Sequence, residues 1–544
     1  MRTKTYRNIF LMALLLSISF LAASCACGGC GEAAAQAELA QMFPAKADVS
    51  IIVTRWKDLQ KGLEIGEEKF GENFPVNEAF KDFEKESGMD LGDPDSLKEH
   101  GLDPTGSLGG LYIDENVVLM LPVKDADTLN DFLKKDAEKS DTIDDKVHEE
   151  KVGDSTMYIL VDEGAKKPKK SNIQAAWLVK NDMVMIFFGD EEVNKGDGRA
   201  VLKDLAKLKS SKSLAKSDHY KDIKKKLGDD NLIYAYFNTK NLLRMAAEAE
   251  PSDAASFNMA ADRLSWAGMG MKINDKGLDV RLYSTGDEEI FTAMAKAMTA
   301  KSDFEGVAAS IDGKPAFVVK LALDVEKLLQ EIGKADPNMK GAIEGFFKDA
   351  NRNLGVDVRK DLLPTLDGNI ALVTYDGDAR AIMSADIPGL LEEGKATIAL
   401  GVKDQKKLVK VAGDALKKMG AKPKEDGNVT VFQVGPGKNP FMLVIGQSAA
   451  VLSTKAAGED KLKKMAQGKG SGLKGVYTKG VAKKLLSGKD GSGVAVDVTK
   501  ILKMLGDAAD KSPEAQTLKG MKSWSFNSYP DDEGGVIDIE VDFK

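Results

Sequence analysis

The chain is poor in cysteine, histidine and tryptophan, and each shortage narrows the chemistry open to it. Its 544 residues hold three cysteines, Cys25, Cys27 and Cys30, gathered near the start. None is left downstream, so no disulfide can brace the folded part. Cys27-Gly28-Gly29-Cys30 has the spacing of a redox pair, but it lacks the strand-to-helix setting that tunes a thiolate and reads as part of a linker. The histidines His100, His148 and His219 stand alone, without a second histidine at i, i+4, which argues against zinc. Apart from Ile9 to Leu21 there is no apolar run of a length that approaches a membrane span. A formal net charge of -8 argues against a nucleic-acid binder, which needs a concentrated basic surface.

What is present begins with a processing segment. Arg2, Lys4 and Arg7 form a basic region ahead of Ile9 to Leu21, and small residues follow, so residues 1–24 read as a signal peptide. Its removal takes three positive charges and leaves the mature chain at -11. Leu21-Ala22-Ala23-Ser24-Cys25 looks like a bacterial lipobox, with Ala22 where leucine is usual, and makes Cys25 the expected site of lipidation. The competing reading is ordinary signal-peptidase cleavage nearby. Residues 25–44 then form a tether. At 43% hydrophobic content the remainder can bury substantial cores, and its length favours more than one globular unit.

The strongest pattern is a long internal repeat. Val117-Val118-Leu119-Met120-Leu121 leads through Asp125 to Leu129, Phe132 and Leu133 at helical spacing, and Ala396 to Leu400 leads through Asp404 to Leu408, Val411 and Ala412. Each is a strand, a capping aspartate and a helix. Phe80-Lys81-Asp82 before Gly88-Met89-Asp90 matches Phe347-Lys348-Asp349 before Gly355-Val356-Asp357, both pairs offset by 267 residues. Leu232 to Phe237 with Thr239-Lys240 matches Val494 to Val498 with Thr499-Lys500. Closing hairpins run from Ser265-Trp266 to Gly277 and from Ser523-Trp524 to Gly535. The spacing predicts an α+β fold of two tandem duplicated domains, residues 45–285 and 313–544, joined by a helical linker over 286–312. Largely antiparallel sheets with helices packed on one face are expected, the copies forming either separate bodies or one pseudo-symmetric sheet. The repeat is far longer than solenoid periods, so it reads as domain duplication.

Pro44-Ala45-Lys46-Ala47-Asp48 before a strand, together with Gly355-Val356-Asp357-Val358 leading through Asp361-Leu362-Leu363-Pro364 to Gly368, resembles a family of bacterial secreted lipoproteins known as a domain of unknown function. The resemblance covers most of the mature chain. The first copy departs from it, with Leu102-Asp103-Pro104-Thr105-Gly106 in place of the fuller pattern. It brings no catalytic residues.

Short motifs do not add an active site. Gly446-Gln447-Ser448-Ala449-Ala450 lacks the closing glycine of a nucleophile elbow and reads as a hairpin turn. Gly470-Ser471-Gly472-Leu473-Lys474-Gly475 spells a phosphate loop but follows a lysine-rich helix rather than a strand. Asp190, Glu192 and Asn194 begin like a calcium loop, yet Val201 stands where the bidentate glutamate belongs. Trp266 and Trp524 read as matching core positions, Lys166 to Lys170 as a solvated insertion, and Asp144-Asp145 and Asp531-Asp532-Glu533 as solvated turns. The expectation is a non-catalytic, cofactor-free binding or scaffolding protein. A lipid on Cys25 would hold it in the bacterial envelope facing the periplasm, on an unspecified membrane, with an envelope protein or an apolar ligand as partner. A carrier of an apolar ligand is the first alternative and an envelope hydrolase the second.

Overall fold

In the computed structural model, residues 39–70, 89–90, 92–138, 146–161, 168–169, 173–188, 197–300, 302–335, 337–375, 387–417, 419–435, 439–488, 491–506, 509, 515, 518–531 and 534–544 are described. The chain divides into two units, the first ending at Thr285 and the second beginning at Gly286.

In the first unit the strands are β1 (Val49–Val53), β2 (Leu108–Ile113), β3 (Asn116–Pro122), β4 (Lys146–Val152), β5 (Ser155–Val161), β6 (Ile173–Lys180), β7 (Met183–Phe188), β8 (Ile233–Phe237), β9 (Leu264–Asn274) and β10 (Gly277–Gly286). The helices are α1 (Trp56–Phe70), α2 (Pro94–Glu99), α3 (Ala126–Glu138), α4 (Gly198–Ala206), α5 (Asp218–Leu227), α6 (Thr239–Ala249) and α7 (Ala254–Ala261). The ladder runs antiparallel in the order β4-β5-β6-β7-β3-β2-β1-β8-β9, and β10 adds to β9. Tight turns at Asp114-Glu115 and Asn181-Asp182, all four at positive φ, set two of the hairpin registers. As sequence spacing predicts, Asp125 caps α3, its Oδ1 accepting from the N–H groups of Asp127 (3.1 Å) and Thr128 (3.0 Å).

The second unit holds β11 (Phe317–Ala322), β12 (Leu366–Thr374), β13 (Ala396–Val402), β14 (Pro423–Asp426), β15 (Val429–Val434), β16 (Phe441–Ile445), β17 (Ala449–Thr454), β18 (Ser492–Asp497), β19 (Met521–Asp531) and β20 (Gly534–Phe543). Its helices are α8 (Glu288–Ala297), α9 (Glu305–Ser310), α10 (Val325–Ala335), α11 (Pro337–Leu354), α12 (Ile387–Glu392), α13 (Gln405–Lys417), α14 (Glu459–Ala466), α15 (Gly480–Ser487) and α16 (Val498–Leu505). Its antiparallel order is β14-β15-β16-β17-β13-β12-β11-β18-β19-β20. Read position by position, the ten strands follow the same order as in the first unit. The stretch between the expected copies contains α8 and α9, which pack inside this second unit.

The expectation of helices on one face is corrected: both faces of each sheet carry helices. In the first unit α4 and α5 lie on the face of Phe187 and Tyr236, where Gly198 and Ile223 meet the strands. On the opposite face Trp56, Leu97 and Leu129 of α1, α2 and α3 join Val184 and Ile186. In the second unit α14 and α15 pack on Val318, Ala371 and Ala399, while α12 and α13 sit against Ile398, Leu400 and Val402. The reason is compositional, since strands such as Val117 to Leu121 are apolar at successive positions, and Ala396 to Leu400 is interrupted only by the buried Thr397, so both surfaces need cover. The outer strands are protected differently. β14 is Pro-Lys-Glu-Asp and fully exposed, and β4 carries Glu149, Glu150 and Lys151, charges that discourage further strand pairing.

Candidate functional site

A cleft of about 730 Å³ opens in the first unit, within the size range of small-molecule sites. Its walls come from six places: Leu39, Gln41 and Met42 ahead of β1; Arg55 after it; Asp103 and Thr105 to Ser107 before β2; Pro122 and Val123 at the end of β3; Asn181 to Met183 at the start of β7; and Leu208 and Ser210 after α4. Leu39 to Met42 are helical, and Leu39, Ala40 and Phe43 are buried, so the end of the expected tether is part of this unit's core.

Local hydrogen bonding fixes the cleft's polar rim. Asp103 Oδ1 accepts from Thr105 N (2.9 Å) and Thr105 Oγ1 (2.7 Å), closing a turn that this Asp-Pro-Thr-Gly run favours. The carbonyls of Pro104 and Gly106 then accept from Lys57 N (3.1 Å) and Trp56 N (3.0 Å), satisfying donors of the first turn of α1. Gly106 permits the approach of β3, because a Cβ there would sit 2.4 Å from Pro122 Cβ. Ser107 Oγ donates to Thr54 O (2.6 Å), and Asp182 O accepts from Val123 N (2.8 Å). Arg55 Nε lies 2.6 Å from Asp58 Oδ2.

The hydroxyls of Thr105 and Ser107 donate to internal acceptors, and the lining also carries the carboxylates of Asp103 and Asp182 and the hydroxyl of Ser210. Apolar walls from Leu39, Met42, Pro122, Met183 and Leu208 face a rim of Asp103, Asn181, Asp182 and Ser210, a lining for an amphipathic ligand. A second recess, of about 150 Å³, lies in the other unit among Leu323, Val325, Leu363, Leu366, Ile370 and Leu400, with Asp324 and Glu326 at its side. Among the described residues no three of His, Cys, Asp or Glu gather to hold a metal, and no helix is long and apolar enough to cross a membrane.

Apart from the Asp103 to Gly106 run, the residues singled out from sequence stand elsewhere. Cys25, Cys27 and Cys30 lie outside the described residues, as do Phe80 to Gly88, Asp144-Asp145, the Asp190 to Gly196 run, Asp532-Glu533, and all of the lysine loop but Pro168 and Lys169. His100 Nδ1 is 2.6 Å from Ser96 O and its ring meets Phe132 edge-on at 4.3 Å. His148 lies on β4, its Nε2 buried without a hydrogen-bond partner among the described residues, and His219 stacks on Trp266 at 5.1 Å. Gly446 to Ser448 turn β16 into β17, and Gly470 to Gly475 form the loop between α14 and α15.

The two tryptophans are corrected in both respects. They are half-buried rather than core, and they point to opposite faces. Phe237 pairs with Ala267 in one unit, whereas Val496 pairs with Trp524 in the other, while Tyr236 and Ala495 both face the α5 or α15 side. The hairpins therefore correspond with Gly277 opposite Gly534, one residue off the Trp-to-Trp alignment, and a one-residue slip exchanges faces.

Fold and site together define an α+β protein with an antiparallel sheet in each of two units and a mixed apolar and polar cleft in the first. The chain belongs to the family described as protein of unknown function (DUF3352), whose model matches residues 110–453, one stretch crossing the boundary between the units. No curated protein matches it. Among solved structures, crystal form I of TP0453 is 8% identical, covering 45% of this chain and 77% of that one at a TM-score of 0.22. Crystal form III of TP0453 is 9% identical, covering 48% and 87% at a TM-score of 0.24. At these scores the likeness carries no argument about fold or role.

Proposed function

We propose that this is a lipid-anchored bacterial envelope protein, held through an acylated Cys25 and facing the periplasm, with a non-catalytic binding or scaffolding role. The observation that carries the binding reading is the first unit's cleft, whose Thr105 and Ser107 hydroxyls are engaged internally and whose lining sets hydrogen-bonding groups beside apolar walls. The membrane reading is supported by the basic and apolar leader and by Ser24-Cys25 after small residues. We take the two units as duplicated copies, a reading supported by their common strand order and by the placement of Asn238 and Asp497. Each caps the helix after the equivalent strand, accepting from Asn241 N (3.2 Å) and Lys500 N (3.2 Å). Transport of an apolar ligand is supported less well, since the more apolar recess in the second unit has room for about a benzene-sized group.

Photo-crosslinking in living cells tests the binding role. A photoreactive residue in place of Met183 or Leu208 is expected to give a discrete adduct absent from the same probe at exposed Lys61. Identical adduct patterns at all three positions would remove the cleft from the account. Turnover of a captured molecule by the purified chain would replace binding with catalysis.

A further inference from the structure

The chain as a whole is acidic, but its positive charge is concentrated. Residues 198–227, which hold α4, α5 and the loop between them, contain ten Lys and Arg against three Asp. Residues 455–488, which hold α14, α15 and their loop, contain nine Lys against two acids. Each stretch is net +7, which leaves -22 on the rest of a chain of -8.

The fold turns this pattern into a surface on each unit. Val201, Leu202, Leu205, Tyr220, Ile223 and Leu227 are buried, as are Leu462, Met465, Val481, Ala482 and Leu485, so these amphipathic helices direct their lysines outward. Lys207, Lys209, Lys212, Lys216 and Lys225 are exposed, and among the described residues none has a carboxylate within ion-pair distance. The same holds for Lys464, Lys469, Lys474, Lys479 and Lys483 in the second unit. Other lysines of these helices are paired: Lys203 with Glu150, Lys221 with Asp218, and Lys463 with Asp426 and Glu459.

We propose that the lysine-rich helical layer of each unit is a docking surface for the phosphate-bearing headgroups of an anionic lipid bilayer. Net charge does not oppose this, because at physiological ionic strength the field of an exposed charge fades within about 8–10 Å, and a bilayer meets the local layer rather than the whole chain. A planar sheet of anions can engage one face and leave the acidic remainder in solvent. A soluble polyanion that wraps the protein would meet that remainder and be repelled. The proposal rests on the membrane-anchored reading for the presence of a nearby bilayer, whereas its test does not depend on the anchor.

The test is cosedimentation of the whole chain with vesicles of phosphatidylcholine alone or containing about one third phosphatidylglycerol. An acyl anchor contributes equally to both, so the ratio reports headgroup recognition. The expected preference for anionic vesicles is about tenfold or more, collapsing at high salt. Changing Lys207, Lys209, Lys212, Lys216 and Lys225 together to Gln, or the five lysines of the second unit, should remove most of that preference, and the same sets changed to Arg should keep it. The Arg sets separate charge from any effect on folding, which circular dichroism melts monitor. Equal binding to both vesicle types, or unchanged binding by both Gln sets, would overturn the proposal. Preferential capture by heparin or duplex DNA over anionic vesicles would also overturn it.

Discussion

Gly401 shows how one missing methyl group supports a buried charge. The Asp367 carboxylate lies across it, accepting from Asn369 N (2.8 Å) and from Ser302 Oγ, and a Cβ at 401 would sit 2.0 Å from Asp367 Oδ1. Gly401→Ala is therefore expected to cost about 2–4 kcal/mol in urea unfolding, through overpacking and a displaced buried carboxylate. Asp125 gives a prediction in pH. Its hydrogen bonds from the Thr128 backbone hold its carboxyl below the ordinary 3.8, so its contribution is present above the unfolded value and fades as pH falls through the lower, folded one. The melting temperature of Asp125→Ala should lie below that of the native chain at neutral pH, and the gap should close below about pH 4. A gap constant across that range would contradict the assignment. Both aspartate caps, Asp125 and Asp404, were legible from their place between a strand pattern and a helix pattern. The Gly401–Asp367 contact was not, because thirty-odd residues separate partners brought together only by the pairing of β12 with β13.

At the scale of elements, α15 is held at both ends by charge from the sheet beneath it. Glu540 Oε2 accepts from Val481 N (2.6 Å) at its start, and the fully buried Lys320 donates to Leu485 O and Gly488 O (2.8 Å each) at its end. An anion at the first turn and a cation at the last complement the helix dipole. Lys320→Met keeps the bulk and removes the donor, leaving the buried Leu485 carbonyl short of a partner and the Gly488 carbonyl with only Phe304 N–H. The expected loss is about 2–4 kcal/mol in chemical denaturation, with α15 losing amide-exchange protection first. Protection lost uniformly across the unit would show that the lysine does not act on this helix in particular. The strands and most helices of the repeat were readable from period and capping. Two things were not: that helices cover both faces, since an apolar run does not say how many partners it has, and the register of the last hairpin. There the matching tryptophans drew the alignment one residue off, and only the ladder partners Ala267 and Trp524 correct it.

For the whole molecule, a division into two units was legible in the amino-acid order, whereas the cleft was hidden. Its residues, among them Arg55, Asp103, Asp182 and Leu208, come from separate turns, and only Asp103-Pro104-Thr105-Gly106 stood out beforehand, as a departure from the fuller pattern of the other copy. The lysine-rich helix ahead of Gly470 was legible, but its counterpart over residues 198–227 was not, because acids elsewhere mask it in a net charge. The proposed role of a membrane-held binding protein rests above all on the anchor. Intact-mass analysis of the mature protein extracted from membranes tests this most directly. The account predicts a chain beginning at Cys25 and heavier than its sequence by a lipid modification, which Cys25→Ala abolishes together with membrane retention. A mature chain that begins at another residue and carries no lipid would contradict it.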